Sequence, residues 1–377
     1  MSKSKAKQEQ GAEEDRLYEE FRARGSLDQQ KLNHGKAQKV NLGLARDTYK
    51  IDTITEKIGK VMSSIKWGSP KVEKLKHHSI ERQINLIISD THFGANLDGK
   101  DTPLVYGPHE EARRFGRVIV ETGDFKSQYR NETSLNVHLN GDIIQGMLHD
   151  ARDGTTMADQ VAASIQYITQ GLIYLAARFP RGISVYCVTG NHGRRKDRHA
   201  GRAIKEKWDS YETMVYLSVK ASTAHLPNVK VIIPKSSFYV YPIFKNFGFA
   251  THGDTALNPG NPGSAINTKS IEGQINKINS AFVASGQKPC SVFTTGHVHV
   301  RSEARFPGAV FMTNPCLIPP DAFSVSIGIQ ASACGQTIWE STAAHVVGDL
   351  RIITVDSTTD ADASLEKIIS PYEGFDL

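Results

Sequence analysis

The chain has 377 residues, 45 Lys+Arg against 40 Asp+Glu, a formal charge of +5 and 39% hydrophobic residues, which suits one large or two modest globular domains. No run approaches the roughly 18 consecutive apolar residues of a membrane helix, and the N-terminal MSKSKAKQEQGAEED lacks a signal peptide's apolar core, so a cytoplasmic protein with no membrane partner is expected. Cys187, Cys290, Cys316 and Cys334 are scattered without a CxxC pair, which argues against a disulfide framework or zinc ribbon and reads as small core residues.

Residues 1–80 hold 17 Lys+Arg and 11 Asp+Glu, so the first fifth of the chain carries net +6 and the remainder net −1. Residues 1–11 are polar and of low complexity, a disordered tail. Residues 12–66 read as a basic helical module. Leu17, Tyr18 and Phe21 recur at helical spacing before Gly25, Gln29–Val40 follows, and Ile51, Ile54 and Ile58 share a face of a helix over 45–58. Short helices separated by glycine suit a helix-turn-helix-like module, and a solvated helical cap equally. A linker is expected over 67–82.

The texture then changes. Runs at 83–89, 134–140, 183–189 and 290–295 are short and β-rich, and longer helical patterns at 108–127, 156–178, 209–225 and 269–286 lie between them. Strand-helix alternation predicts an α/β layered domain over 83–356. Runs at 228–233, 237–244, 246–251, 308–313, 337–344 and 350–355 lack intervening long helices and suggest a second, more antiparallel sheet. Residues 357–377 read as a peripheral tail.

The chemistry stands at the strand ends. Asp90-Thr91-His92, Gly141-Asp142, Gly190-Asn191-His192, His252-Gly253-Asp254 and Gly296-His297-Val298-His299 each close a predicted strand. In an α/β sheet, side chains just beyond the carboxyl ends of the strands converge on one crevice, so five distant clusters become one site. Asp90, His92, Asp142, Asn191, His252, His297 and His299 mix oxygen and imidazole donors, the set that suits Mn²⁺, Fe or Zn²⁺. One ion would leave several donors unused. Two ions bridged by a carboxylate at about 3.5–4 Å fit better, an arrangement used for displacement at phosphorus.

These motifs resemble the calcineurin-like metallophosphoesterases, whose pattern is DxH, GDxx(D/H), GNH(D/E), an isolated HG and GHxH; the resemblance spans roughly residues 84–355. A phage or bacterial DNA-repair-exonuclease-like member is one expectation. The resemblance implies a four-layer αββα sandwich, with the small N-terminal helical module added, and a dinuclear site at one end of two sheets. It also implies that Asp90, His92, Asp142 and His299 hold one divalent ion, that Asp142 bridges, and that Asn191, His252 and His297 hold the other. Mn²⁺ is the first choice, with Fe, Zn²⁺ or Mg²⁺ as alternatives. His192 would protonate the leaving oxygen or steady the transition state.

Two positions depart from that pattern. Gln145 stands where related enzymes carry an Asp or His that supports the catalytic histidine, and a glutamine cannot stabilise an imidazolium by opposite charge. His149 or Asp150 could substitute. Gly193 stands where GNH(D/E) ends in an acid.

Between residues 194 and 207 there are seven basic and two acidic residues, beginning Arg194-Arg195-Lys196-Asp197-Arg198. Beside the metals, Arg194, Arg195, Lys196 and Arg198 could grip the phosphates flanking a scissile bond, so nucleic acid is the expected partner and substrate. Trp208 and Tyr211 could stack on bases or simply pack a helix. Loops after His252 and over 314–321 are expected to overhang the crevice. The sequence thus reads as a metal-dependent nuclease. A small-phosphoester phosphatase or phosphodiesterase and a DNA-binding scaffold of vestigial fold are the alternatives, and a homodimer is left open.

Overall fold

A computed structural model describes residues 52–63, 70, 79–100, 104–147, 154–194, 207–262, 265–320 and 333–374. The chain divides into Met1–Thr55 and Glu56–Leu377, and every strand among the described residues belongs to the second unit. The expected tail at 1–11 and nearly all of the 12–66 module lie outside the described residues, apart from a helix over 52–63, α1. Within its later turns Lys57 pairs with Asp159, and Met62 accepts a hydrogen bond from Ser222.

The first sheet is built from β1 (Arg82–Ile88), β4 (Thr133–Leu139), β5 (Ile183–Cys187), β6 (Val229–Ile232), β12 (Gly335–Thr342) and β13 (Leu350–Thr354). Its order is β13-β12-β1-β4-β5-β6, with β1, β4, β5 and β6 parallel and β12 and β13 antiparallel. The second sheet has the order β10-β11-β9-β8-β7, formed by β7 (Phe238–Ile243), β8 (Asn246–Thr251), β9 (Val292–Thr295), β10 (Ser302–Phe306) and β11 (Ala309–Thr313). A small ribbon pairs β2 (Leu97–Asp98) with β3 (Val105–Tyr106). The sequence pattern assigns four runs differently. The runs at 228–233, 337–344 and 350–355 join the first sheet, and the 290–295 strand joins the second, where β8, β9 and β11 are parallel. Strand sequence reports burial and length; partner choice depends on crossovers that sequence periodicity does not encode.

Between the sheets lies a core of Ile87, Tyr186, Val188, Tyr239, Tyr241, Ala250, Val292, Met312 and Trp339. At its centre the buried His138 ring stacks on Trp339 at 5.9 Å and on Tyr239 at 6.0 Å. Burial lowers His138 to about 3, so it is neutral and serves as a polar aromatic. Side chains alternate along β1, so Ile87 faces the other sheet while Leu86 and Ile88, both buried, face the helices.

Helices α2 (Pro108–Asp124), α3 (Met157–Ala176) and α4 (Tyr211–Ser222) cover that side; α2 packs on α3, β12 and β13, and α4 on α3 and β6. Their starts are written in the sequence: Pro108 opens α2, Thr156 caps α3 through the Asp159 N–H, and Ser210 caps α4 through the Glu212 N–H. On the far side, α5 (Thr268–Ala284) buries Ile271 and Ile275 against Phe249, Phe293 and Phe311. The architecture is therefore the four-layer αββα sandwich. The segment after 357 is not peripheral. Asp360–Lys367 forms a 3₁₀ turn on α2, and Leu365, Ile369 and Tyr372, which recur at i, i+4 and i+7, are buried; a polar, acidic stretch around them masks this apolar stripe in the sequence.

Candidate metal centre

Parallel pairing in register puts the carboxyl ends of β1, β4 and β5 at one edge of the first sheet, and β8 and β9 do the same in the second. The loops leaving them are stitched together. Asp90 and His92 donate their N–H groups to the Gly141 and Asp142 carbonyls at 3.0 and 3.1 Å, Gly296 N–H bonds the His252 carbonyl at 2.8 Å, and His297 N–H bonds Asp90 Oδ1 at 3.0 Å. Asp90, His92, Asp142, His297 and His299 all have φ between 50° and 71°. Such a backbone costs roughly 1–2 kcal/mol per residue, and strain of this kind gathers where side-chain aim matters more than stability.

The side chains meet. Asp90, His92 and His299 form one group of donors; His92, Asp142 and His192 a second; Asp142, His252 and His297 a third, with donor atoms in each group within 4.8 Å of one another. Asn191 Oδ1 lies 3.0 Å from His252 Nε2, which is 3.0 Å from Asp142 Oδ2. All seven sequence-predicted donors and His192 thus converge, and Asp142 sits between the two ends of the cluster.

Three histidines have their tautomers set. His92 Nδ1 faces Gln145 Oε1 at 2.9 Å, His192 Nδ1 faces the Gln145 carbonyl at 2.7 Å, and His252 Nδ1 faces the Asn140 carbonyl at 2.8 Å. An oxygen of this kind accepts, so each Nδ1 carries hydrogen and each Nε2 turns to the centre. One of them, His92 Nε2, lies 3.3 Å from His299 Nε2, a separation that calls for a proton or a cation between the two nitrogens. The electrostatics agree. Burial would lower His252, but the Asp142 charge and hydrogen bond, with Asp90 and Asp254, raise it to about 9. His299 is likewise raised against burial by Asp90. Burial and the His252 charge lower His297 to about 4. His92 falls well below its usual range through burial, then through His192 and His299. Burial works to raise Asp142, yet His252 and His192 hold it well below the usual carboxylate range. A buried pocket of carboxylates and Nε2 atoms that demands positive charge fits divalent metal ions.

Gln145 plays a different part from the one its position suggests. Its side chain steadies His92, and its backbone carbonyl, not its amide, orients His192. His149 and Asp150 lie outside the described residues.

Arg194 Nη2 bonds Asp254 Oδ2 at 2.6 Å, and the fully buried Lys207 Nζ bonds Asp254 Oδ1 at 2.5 Å and the Thr189 carbonyl at 2.7 Å. Arg195, Lys196 and Arg198 lie outside the described residues. Trp208 is exposed, while Tyr211 opens α4. The 314–320 loop touches the centre, Leu317 N–H bonding the Asp90 carbonyl at 3.0 Å. The 258–262 loop turns to α5 instead, where Asn258 bonds Gln274.

Sequence reasoning missed the groups beneath the donors. Glu111 accepts the Gly94 N–H at 2.6 Å, and Glu212 accepts the Ile143 and Gly190 N–H groups at 2.5 and 2.6 Å. Burial pushes Glu111 up to about 8, and burial with the Asp142 charge pushes Glu212 up to about 7. Each acid in the first turn of a helix reads as a dipole partner, and only the loop beyond reveals its second use.

No family model and no curated protein matches the sequence. Solved structures do. An archaeal phosphodiesterase is 14% identical with a TM-score of 0.32, covering 71% of this chain and 99% of that one. A conserved uncharacterized protein of Streptococcus pneumoniae, described as a predicted phosphoesterase, is 13% identical at TM-score 0.27 over 73% and 99%. Vacuolar protein sorting 29 of Cryptosporidium parvum is 10% identical at TM-score 0.31 over 70% and 86%. The paired sheets and the convergence of the five motifs on one cluster of His and Asp donors resemble the calcineurin-like metallophosphoesterase fold.

Proposed function

We propose that the protein is a two-metal hydrolase that cleaves nucleic-acid phosphodiester bonds. Asp90, His92, Asp142 and His299 would hold one ion and Asn191, His252 and His297 the other, with Asp142 shared and Mn²⁺ the first ion to test. Ions bound there would acidify a water and neutralise phosphate oxygens. His192, its Nδ1 hydrogen spent on the Gln145 carbonyl, turns Nε2 toward the cluster, 4.0 Å from Asp142 Oδ2, and in its imidazolium form, with Nε2 also protonated, can hand that proton to the leaving oxygen.

The observation that carries the substrate class is the clamp on Asp254. The first and last residues of the basic segment are both fastened two residues from His252. The five basic and two acidic residues between them therefore belong to a segment whose two ends are held at the rim of the site. Arg194 supports that rim, and contacts to flanking phosphates fall to Arg195, Lys196 and Arg198.

The test compares single- and double-stranded DNA and RNA with bis-p-nitrophenyl phosphate and mononucleotides, all with Mn²⁺. Polynucleotide cleavage weakened by charge reversal at Arg195 and Lys196 supports the proposal. Cleavage of small esters alone, indifferent to those changes, overturns it in favour of a small-phosphoester enzyme. Fewer than one transition metal per folded chain under saturation points to a scaffold instead. The roles separate as well: Asp142→Asn should weaken both ions, whereas His192→Asn should keep metal content and lower turnover by roughly 10²–10⁴-fold.

A further inference from the structure

The third motif lacks its acid at Gly193, and the structure fills the space from elsewhere. A Cβ at Gly193 would lie 2.7 Å from Glu212 Cγ and 2.7 Å from Ser210 Oγ. Glu212, the second residue of α4, is fully buried. Its Oε1 accepts the N–H of Ile143, which follows Asp142, and its Oε2 accepts the N–H of Gly190, which precedes Asn191. One side chain thus ties the loop that carries the shared aspartate to the loop that carries the asparagine. The helix that bears it is itself fastened to the motif, since Tyr211 N–H and Ser210 Oγ both bond the Gly193 carbonyl at 2.8 and 2.9 Å.

Gly190 explains why the spacing needs a tie. A Cβ there would lie 2.0 Å from Asp142 Oδ1 and 2.3 Å from the Asp142 nitrogen, so the two loops already touch. His192 N–H also donates to Asp142 Oδ1 at 2.8 Å. A shift of either loop moves the shared carboxylate, Asn191 and His192 together.

We propose that Glu212 is the positioning residue that fixes the spacing of Asp142 and Asn191, delivering from α4 the carboxylate that the third motif lacks at Gly193. The role needs two acceptors. A glutamine offers one oxygen and one NH₂, and the NH₂ would meet a backbone N–H donor to donor. An alanine leaves both N–H groups buried without a partner.

The inference rests on the two-metal reading. The test uses the full chain at pH 8, Mn²⁺ titration by calorimetry, and circular dichroism to confirm folding. Glu212→Gln and Glu212→Ala should each weaken Mn²⁺ roughly 10–100-fold, the usual cost of losing a group that orients ligands. Gly193→Asp in the Glu212→Ala background should recover most of that loss, because the new carboxylate enters the vacated space with only a small shift of the Ser210 side chain. Gly193→Asp alone should weaken Mn²⁺, because Glu212 still occupies the space. A merely structural role for Glu212 gives no such rescue. Folded Glu212→Gln with wild-type Mn²⁺ affinity overturns the proposal, as does a folded double variant no tighter than Glu212→Ala. If the double variant does not fold, Glu212→Gln alone decides. A wild-type chain that binds no Mn²⁺, Zn²⁺ or Fe²⁺ ends the two-metal reading instead, so the two failures are distinguishable.

Discussion

Asp254→Asn is the most direct probe of how the basic segment is held. Asp254 is one carboxylate between two cations, Arg194 at 2.6 Å and Lys207 at 2.5 Å; the Lys207 side chain is 0% exposed and that of Arg194 is 15% exposed. Replacing the carboxylate by an amide removes the negative charge the pair shares in these contacts and leaves one side-chain oxygen for two cations, with the new NH₂ facing either Arg194 or the buried Lys207 donor to donor. Removing one partner of a buried ion pair costs about 3–5 kcal/mol. At roughly 2 °C per kcal/mol, the low end suited to a unit this large, the melting temperature should fall by about 6–10 °C. The assay is thermal unfolding with chelator and again with Mn²⁺, so that an effect transmitted through His252 and bound metal is separated from the clamp itself. Limited trypsin digestion provides a second reading, with faster cutting between Arg194 and Lys207 in the variant. A melt within about 2 °C of wild type in chelator, together with unchanged digestion, would refute the argument that the clamp anchors the segment.

Three further outcomes are expected. Gly190→Ala should abolish tight Mn²⁺ binding in a folded protein, because its Cβ would displace the Asp142 backbone and carboxylate rather than a flexible side-chain tip; metal titration on the refolded variant checks it. Asp362 is held at about 2: burial works to raise it, but hydrogen bonds from Arg117, Thr359 and Arg113 outweigh that. Its folded value is depressed, so its stabilisation is present above the ordinary aspartate range near 3.9 and is lost as pH falls through about 2. The stability gap between wild type and Asp362→Asn should therefore be open at pH 7 and closed at pH 2 in denaturant titrations. Trp339→Ala should cost about 3–5 kcal/mol, because the ring is fully buried between the sheets against His138; an unchanged denaturation midpoint would mean that the inter-sheet layer repacks.

Several parts of this protein are legible in its sequence for local reasons. Helix α4 begins at Ser210 because a serine accepts from the N–H two residues on, and α2 begins at Pro108 because proline fits a first turn. The donors are legible because each follows a short β-rich run, and strand ends in a layered α/β fold converge whatever their separation along the chain. Sheet membership was not legible. The strand at 350–354 and the strand at 309–313 look alike as sequence, yet one pairs with β12 and the other with β9 and β10.

The layered class and the seven candidate donors can be read from the chain alone, because residue type and strand-end position are local properties. How the supporting groups are shared emerges only once the loops pack. Gln145 lends His192 its carbonyl rather than its side chain, Asp254 takes the two ends of the basic segment, and Glu212 stands in the space left by Gly193. These depend on which buried N–H, carboxylate or cation lacks a partner once the loops are packed. Such a requirement arises between residues far apart in the chain, and burial rather than spacing enforces it.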